Sequence, residues 1–320
     1  MIAQSLFPES PVPARRLVLI DGSNLFFRGK FSRLATRWRG RDTTCVNAYL
    51  RALPPLIAAL TGDSPADFIV CWDSGHAERT RLSEAAVAAG LVPKAYKQER
   101  REARQAEGTD ADRENFQWQY ELAKEATGHT RLGSAALPGE EADDLIGSFV
   151  RLARETGDCG EIILVTCDRD YYQLLGPDCR LYNPGTKTFY SLPEFTAEYG
   201  IADPAKWVEI GALAGETGPS SDTIYGVPGI GYATAARLIA RHGSLDALLA
   251  RAAYAAPGTR EAKIHACREI VALARQLKAM RTGLPVAFPP FAGDWRLLEG
   301  FLDKYGLSLP QDALTALLRP

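Results

Sequence analysis

Three apolar segments, each running into an aspartate, place the strongest constraint on how this chain can fold. They lead into Asp21, Asp73 and Asp168, and helical patterns separate them along the sequence. Strands that alternate with helices predict an α/β fold, with a mainly parallel, twisted sheet and flanking helices. The carboxyl ends of parallel strands meet at one edge of a sheet, so these carboxylates should lie together there, with Asp170 close by.

A run of acidic residues at the start of a predicted helix adds to this edge. Glu141, Asp143 and Asp144 follow a turn at Pro138 and Gly139 and precede an apolar helical stripe. The helix dipole alone would account for acids in a first turn, at about 0.3–1 kcal/mol each. Like charges at this density nevertheless disfavour ionisation unless a cation lies among them. Together with the strand-end aspartates, and in the absence of His or Cys residues at ligand spacing, this acidic run favours a hard-cation site for Mg²⁺ or Mn²⁺.

The bulk composition limits the class of protein. The chain has 320 residues, of which 46% are hydrophobic and 24% charged, and this is typical of a globular protein. Its net charge of −2 argues against general attraction to nucleic acid, so any such contact must come from local basic surfaces. Six cysteines without a CxxC pair predict reduced thiols. The absence of a signal pattern and of a long apolar run predicts a cytoplasmic protein without membrane contact.

Two basic segments are candidates for such surfaces. In the first, Arg28, Lys30 and Arg33 alternate with aromatic residues. This alternation suits a phosphate backbone with exposed bases, although a solvated charged face explains it equally well. In the second, Lys97 and Arg100 would offset the charge of a bound phosphate if the segment overhangs the acidic edge. Otherwise that segment is an exposed helical excursion.

The second half of the chain has a different pattern. A hairpin is predicted around residues 183–186, and from residue 205 onward the periodicity is mostly helical. A glycine-rich turn at residues 226–231 precedes a helix that ends at His242. Such a turn lets backbone N–H groups approach a phosphate, although glycine turns also join helices for purely steric reasons.

Taken in order, the motifs resemble those of the structure-specific 5′ nucleases, a family that includes the 5′-nuclease domain of bacterial DNA polymerase I, phage 5′-3′ exonucleases and flap endonucleases. The similarity runs from about Arg15 to Phe288. It rests on Ile20-Asp21-Gly22, Trp72-Asp73, Tyr96-Lys97-Gln98-Glu99-Arg100, Gly139-Glu140-Glu141-Ala142-Asp143-Asp144, Thr166-Cys167-Asp168-Arg169-Asp170, Ser221-Asp222, Gly226-Val227-Pro228-Gly229-Ile230-Gly231 and Lys278-Ala279-Met280-Arg281-Thr282-Gly283-Leu284-Pro285.

The resemblance implies an N-terminal tail at residues 1–14 and a PIN-like nuclease core at 15–204, with a helical arch at about 80–125. It also implies a helical DNA-binding region at 205–320, with a helix-three-turn-helix at about 211–250. The implied activity is that of a 5′→3′ exonuclease or flap endonuclease, which hydrolyses DNA phosphodiesters near 5′ ends, flaps or nicks during replication and repair. We expect a monomer, with any polymerase acting in trans.

The resemblance also implies roles for individual residues, with two Mg²⁺ or Mn²⁺ ions bridging the scissile phosphate. The acids implied for the first ion are Asp21, Asp73, Glu141, Asp143 and Asp144. Those implied for the second are Asp168, Asp170 and Asp222. Lys97 and Arg100 match a catalytic basic pair on the arch. The implied DNA contacts are Arg28, Lys30, Arg33, Tyr96, Gly229, Gly231, Arg237 and Arg241. A K⁺ ion would bind the glycine-rich turn at Val227 and Ile230.

Two departures from the family pattern leave alternatives open. Relatives usually carry a second aspartate before the position of Asp222, where an ungapped alignment places Pro219 and a three-residue insertion would offer Glu216 instead. A lysine common after the glycine-rich turn is Ala233 here. We therefore expect a weaker hold on the second ion and on duplex DNA. The alternatives are a junction-DNA-binding protein with weakened or lost catalysis, and a PIN-like ribonuclease.

Overall fold

The computed structural model describes residues 15–62 and 65–318, so the predicted tail at 1–14 lies outside the described residues. The strands are β1 (Arg16–Asp21), β2 (Arg37–Trp38), β3 (Arg41–Asp42), β4 (Ala66–Cys71), β5 (Gly133–Ala135), β6 (Glu161–Val165), β7 (Cys179–Asn183) and β8 (Thr188–Tyr190). Six of them form one sheet in the order β5-β4-β1-β6-β7-β8, and β2 pairs with β3. In the large sheet only β7 and β8 pair antiparallel. The predicted mainly parallel sheet is confirmed.

Helices cover the sheet and make up most of the described chain after residue 191. They are α1 (Gly22–Phe27), α2 (Thr44–Thr61), α3 (Ala77–Ala88), α4 (Gln98–Ala106), α5 (Asp110–Gly128), α6 (Ala142–Thr156), α7 (Leu192–Tyr199), α8 (Trp207–Ala214), α9 (Tyr232–His242), α10 (Leu245–Ala252), α11 (Arg260–Ala266), α12 (Arg268–Lys278), α13 (Trp295–Lys304) and α14 (Gln311–Leu318).

The sheet is buried on both faces, which explains why its central strands are apolar throughout. In β1, Leu17 and Leu19 point into one core, and Val18 and Ile20 point into another. All four are at most 1% exposed. The first core contains side chains of α6, α8, α9 and α12, and the second contains those of α2, α5, α13 and α14. Burial of both faces by helices is typical of parallel sheets.

The last two helices depart from the predicted division of the chain at residue 205. Leu298 and Phe301 of α13 and Leu317 of α14 lie in the same core as Val18 of β1 and Tyr49 of α2. The C-terminal segment therefore returns to the core beneath the sheet instead of extending the helical region. No described helix is long and apolar enough to cross a membrane.

Candidate metal centre

The predicted acidic edge forms where the strand order changes direction. β4 lies on one side of β1 and β6 lies on the other, so a crevice opens beyond the carboxyl end of β1. Asp21 is the last residue of β1 and pairs in register with Cys71 of β4. Asp73 and Asp168 follow β4 and β6, which run parallel to β1 and therefore end on the same side.

A cavity of about 270 Å³ at this edge collects carboxylates from distant parts of the chain. Eight of them line it: Asp21, Asp73, Glu141, Asp143, Asp168, Asp170, Glu216 and Asp222. Lys97 and Arg100 form part of the same wall. Of the acids predicted to bind metal, only Asp144 is absent from the lining.

Hydrogen bonds to backbone N–H groups fix the direction of the strand-end carboxylates. Asp21 Oδ1 accepts from the N–H of Asn24 at 2.8 Å and so caps α1, which begins directly after β1. Asp73 Oδ1 accepts from the N–H of Ala142 at 2.8 Å and ties the end of β4 to the start of α6. Asp168 Oδ1 accepts from the N–H two residues later at 2.9 Å. The same short turns that end the strands thus orient the acids.

Burial and repulsion from neighbouring acids disfavour the ionised form of Asp21 and Asp168. Burial, followed by the charge of Asp73, raises the pKa of Asp21 to about 7. Burial and then the charge of Asp170 raise the pKa of Asp168 to about 7, although much of this residue is exposed and water screens the effect. Among the described residues, Asp21, Asp73 and Asp168 form no ion pair within 4.0 Å. The strand-end acids thus lack a cationic partner among the described residues, and negative charge on them is uncompensated when they ionise.

Arg79, which the sequence analysis misses, balances the acids at the start of α6. It is 4% exposed, and its guanidinium lies 2.6 Å from Glu141 Oε2, 3.3 Å from Asp143 Oδ2 and 2.8 Å from Asp144 Oδ2. Its Nε donates to the carbonyl of Leu277 at 3.0 Å and so joins α6 to the end of α12. These partners lie between 62 and 198 residues away in sequence, so no local pattern signals the role of Arg79.

Asp144, which the resemblance places around the first ion, lies outside the cavity lining, and a role in metal binding stays a prediction. Its Oδ1 accepts from Arg79 Nη2 at 2.9 Å and from the N–H of Arg281 at 2.7 Å. Its Oδ2 accepts from Arg79 Nη1 at 2.8 Å, and its side chain is 2% exposed. Because both oxygens are engaged away from the cavity, Asp144 positions Arg79.

Lys97 and Arg100 reach the cavity from the start of α4, as expected for an arch that overhangs the acidic edge. Lys97 Nζ pairs with Glu141 and lies 3.9 Å from Asp222 Oδ1. Arg100 Nη1 lies 3.2 Å from the same oxygen of Asp222. Burial alone would lower the pKa of Lys97, but Asp222 and Glu141 outweigh burial and raise it. Both side chains are therefore cationic beside the cavity.

The structure places Tyr96, a predicted DNA contact, beneath the acids of the cavity. Its residue exposure is 2%, and its hydroxyl, with one proton to donate, lies 3.0 Å from Asp222 Oδ2 and 3.3 Å from Glu141 Oε2. Tyr96 thus orients these acids, and its contact with DNA stays a prediction. Tyr171 has a similar position at the first strand, where its hydroxyl donates to Asp21 Oδ2 at 3.1 Å.

Of the two residues offered by the alternative alignments, Glu216 lies in the cavity lining and Pro219 is absent from it. The backbone of Glu216 pairs with that of Ile224 through hydrogen bonds of 2.6 and 2.7 Å, so the residues between them form a loop. Beside Glu216 lies Lys278, whose Nζ is 2.6 Å from Glu216 Oε1. The sequence pattern alone does not predict this contact of Lys278.

The predicted DNA contacts after β1 lie on a partly aromatic surface. Lys30 and Arg33 are exposed, and Lys30 Nζ lies 4.3 Å from the ring centroid of Phe116. Arg28 is half-buried, and its Nη1 donates to Cys167 Sγ at 3.6 Å. Lys30 therefore combines a cation with aromatic rings, as the alternation predicts, and DNA contact by all three residues stays a prediction.

The glycine-rich turn leads directly into α9. Gly229 has a φ of 86°, in the left-handed region that favours glycine, and both Gly229 and Gly231 are exposed. Val227 and Ile230 instead bury their side chains, and the N–H of Ile230 donates to the carbonyl of Val227 at 3.0 Å. The turn therefore presents its backbone to solvent while its apolar side chains anchor it.

Two predicted basic contacts follow that turn. Arg237 and Arg241 are exposed on α9, whose opposite side buries Ala235 and Leu238. A helix with this division can present cations to a phosphate backbone without loss of core packing. The roles of both arginines stay predictions.

The donor set fits a divalent cation at the strand ends. All the candidate ligands supply carboxylate oxygens, which Mg²⁺ and Mn²⁺ prefer. Three of the acids have no cationic partner in the part of the chain that the structure describes. Among the described residues, no three His, Cys, Asp or Glu side chains surround a preformed ion position. Ion pairs with Arg79, Lys97, Arg100 and Lys278 engage the remaining acids. Metal binding therefore requires rotation of carboxylates toward the ion.

Metal removal is expected to make stability depend on pH. Folded Asp21 keeps its proton up to about pH 7, whereas in the unfolded chain its pKa is near 3.8. The folded protein thus binds more protons in this window, and the free energy of unfolding falls as the pH rises through it. In EDTA, the Tm should be lower at about pH 8 than at about pH 5.5, by about 2 °C or more.

Saturating Mg²⁺ should raise the Tm more at the higher pH, because it supplies the missing positive charge. Asp21→Asn should reduce the pH dependence measured in EDTA. Thermal unfolding followed by circular dichroism gives all of these values. A Tm in EDTA that rises steadily between the two pH values would contradict the charge balance described above.

Two family models match the chain and together cover most of it. The model described as "5'-3' exonuclease, N-terminal resolvase-like domain" matches residues 16–200. The model described as "5'-3' exonuclease, C-terminal SAM fold" matches residues 202–296. Together with the sheet, the acidic edge and the glycine-rich turn, these matches define the class of protein. It is a nuclease, which is a phosphodiester hydrolase. The chain belongs to the 5′-3′ exonuclease family.

The similar curated proteins are bacterial DNA polymerases I. The chain is 31% identical over 274 residues to the thermostable DNA polymerase I of Thermus filiformis, covering 86% of this chain and 29% of that protein. It is 32% identical over 276 residues to the thermostable DNA polymerase I of Thermus thermophilus, covering 86% of this chain and 30% of that protein. The chain thus spans less than a third of the length of these relatives.

Solved structures share the fold at lower identity. A zinc-bound T5 5′-exonuclease aligns with a TM-score of 0.68 at 21% identity, covering 91% of this chain and 98% of that one. The catalytic core of Rad2 in complex with a DNA substrate aligns with a TM-score of 0.56 at 14% identity, covering 96% and 92%. These structures support the two-part architecture described above.

Proposed function

We propose that this chain is a divalent-metal-dependent 5′ nuclease that hydrolyses DNA phosphodiesters near 5′ ends, flaps or nicks. The observation that carries the proposal is the cavity at the sheet edge, where eight carboxylates face two cationic residues of the arch. Family membership supports the reaction class. The metal-bound T5 exonuclease structures support the use of a divalent ion.

The side chains around the cavity suit phosphodiester hydrolysis. A divalent cation, when bound at the strand-end carboxylates, supplies Lewis-acid polarisation of the phosphodiester and lowers the pKa of water. Lys97 and Arg100 are 17% and 31% exposed, so both can turn from Asp222 toward an incoming phosphate and stabilise its developing charge. The N–H of Lys97 donates to the carbonyl of Asp222 at 2.8 Å, which holds the lysine at the cavity.

Two further cavities extend from the acidic one and suit a single strand. The first, of about 580 Å³, shares Asp73, Lys97 and Arg100 with the acidic cavity and also contains Arg104 and Phe116. The second, of about 700 Å³, shares Arg104 and Phe116 with the first and continues to basic side chains near the β2–β3 hairpin. Alternating cations and rings stack bases and neutralise phosphates without sequence preference. We propose that this path holds the 5′ strand.

A substrate panel tests the proposal. Purified protein is incubated with 3′-labelled 5′-flap, nicked and blunt duplex DNA, and with single-stranded RNA, in Mg²⁺, in Mn²⁺ and in EDTA. We expect cleavage near the 5′ end of the DNA substrates in either metal and none in EDTA. Salt-sensitive flap binding without product in any metal would favour the junction-binding alternative. Preferential cleavage of the RNA would favour the ribonuclease alternative.

Arg237 on α9 gives a separate test of duplex contact. Arg237→Ala should weaken binding to duplex DNA of any sequence and reduce the slope of log K against log salt by about 1, because one phosphate contact is lost. Arg237→Lys should keep the slope, since it keeps the charge. Fluorescence anisotropy across a salt series measures both values. An unchanged slope in Arg237→Ala would show that Arg237 does not contact the duplex.

The remaining partner and cofactor assignments stay proposals. Of the two divalent ions expected from the sequence, the one at the strand ends has the clearer support. A K⁺ ion at the glycine-rich turn, a monomeric state, a polymerase acting in trans and a cytoplasmic location rest on the family resemblance and on sequence composition. None of them is needed for the chemistry at the acidic cavity.

A further inference from the structure

The carboxylates of the acidic cavity divide into two groups by their cationic partners. Five of the acids form an ion pair with a protein cation: Glu141, Asp143, Asp170, Glu216 and Asp222. The three strand-end acids form none among the described residues. The cavity thus has one region with unbalanced negative charge, and a second region, at Asp170 and Glu216, that already contains a positive charge.

That positive charge is the ammonium of Lys278. Its Nζ lies 3.0 Å from each oxygen of Asp170 and 2.6 Å from Glu216 Oε1. An ammonium has three N–H donors, and these three oxygens match that number. The side chain is 2% exposed, so water contributes little to its hydration.

The surrounding backbone holds Lys278 and Glu216 in these positions. A Cβ on Gly211 of α8 would lie 3.4 Å from Cγ, Cδ and Cε of Lys278, so the aliphatic stem runs directly over this glycine. Glu216 follows Gly215, where a Cβ would lie 2.3 Å from the backbone nitrogen of Gly226. The loop that carries Glu216 is therefore pinned at its base. Lys278 differs in this respect from Arg100, which is 31% exposed and can swing away.

We propose that Lys278 is the resident cation of this second region and takes the place of a second divalent ion, so that the DNA-free protein binds one divalent ion instead of two. This inference rests on the proposed metal-dependent function. Asp170 and Glu216 would then position Lys278 beside the strand-end ion and would not bind metal themselves. The loop between Glu216 and Ile224 and the lysine act together, because Glu216 supplies the third acceptor of the ammonium.

Counting bound ions tests the inference without use of activity. Metal-free protein is titrated with Mn²⁺, and the free ion is measured by electron paramagnetic resonance. We expect one bound ion per chain for the wild type and two for Lys278→Met, which leaves Asp170 and Glu216 without a cation. Lys278→Arg keeps the charge and should still bind one. Near-ultraviolet circular dichroism confirms that each variant is folded.

Each other outcome has a distinct meaning. Two ions in the wild type would overturn the inference and leave the proposed function intact, whereas none would overturn both. One ion in a folded Lys278→Met protein would also overturn the inference. If that variant does not fold, Glu216→Gln decides the question. Its count should stay at one, and a fall from one ion to none would make Glu216 a ligand of the bound ion and overturn the inference.

Discussion

Asp21→Asn is expected to lower the rate of 5′-flap cleavage by about 10³-fold, while it raises the stability of the metal-free protein at about pH 8. The rate falls because a carboxylate at the strand-end cation position becomes a neutral amide. The stability rises because the pKa of Asp21 is raised to about 7 by burial and by Asp73, so its charge opposes folding. Single-turnover kinetics and urea unfolding in EDTA measure the two effects.

A lower cleavage rate together with a higher stability would show that Asp21→Asn impairs function and not folding. Asp67→Asn is the matched control, because Asp67 lies in β4 away from the strand's carboxyl end and pairs with Arg15. It should leave the rate of cleavage within about threefold of the wild type. Asp21→Asn activity within about tenfold of the wild type would remove Asp21 from the catalytic centre.

Arg79→Met is expected to cost about 3–5 kcal/mol of unfolding free energy in the absence of metal. It leaves Glu141, Asp143 and Asp144 buried or half-buried without the cation that the structure places among them. It also frees the carbonyl of Leu277. Arg79→Lys should restore only part of the loss, because one ammonium cannot reproduce the fork of the guanidinium. Urea unfolding in EDTA gives the three free energies.

Arg81 offers a control on the same helix, two residues away. Its side chain is 66% exposed and pairs with Glu78 at 2.7 Å, so Arg81→Met should change stability by less than about 0.5 kcal/mol. A difference of less than about 1 kcal/mol between the two methionine variants would show that Arg79 does not balance the acids.

The strands of the sheet could be predicted from the sequence because the central strands are buried on both faces and are therefore apolar throughout. Continuous apolar runs that end on an acid identify β1, β4 and β6, and the rule for parallel strands then brings Asp21, Asp73 and Asp168 to one edge. The return of α13 and α14 to the core is different. Leu298 and Leu317 follow an ordinary helical pattern, which does not indicate the surface that a helix covers.

The two cations that balance the acids, Arg79 and Lys278, could not be predicted from the sequence, for a related reason. Arg79 lies in a helix of mixed charge and Lys278 ends another, and nothing local distinguishes them from solvated residues. Their partners come from other elements, 62 residues away for Glu141 and 108 for Asp170. Tyr96 is a related case, because its motif predicts a DNA contact and gives no sign of its hydrogen bonding to two acids.

Crystals soaked in Mn²⁺ and measured at the manganese absorption edge test the central claim most directly. The claim is that uncompensated carboxylates at the strand ends hold a divalent ion. It predicts an anomalous difference peak within about 2.5 Å of carboxylate oxygens from Asp21, Asp73 or Asp168. A cavity without any such peak, in crystals of protein that cleaves 5′ flaps in Mn²⁺, would contradict it.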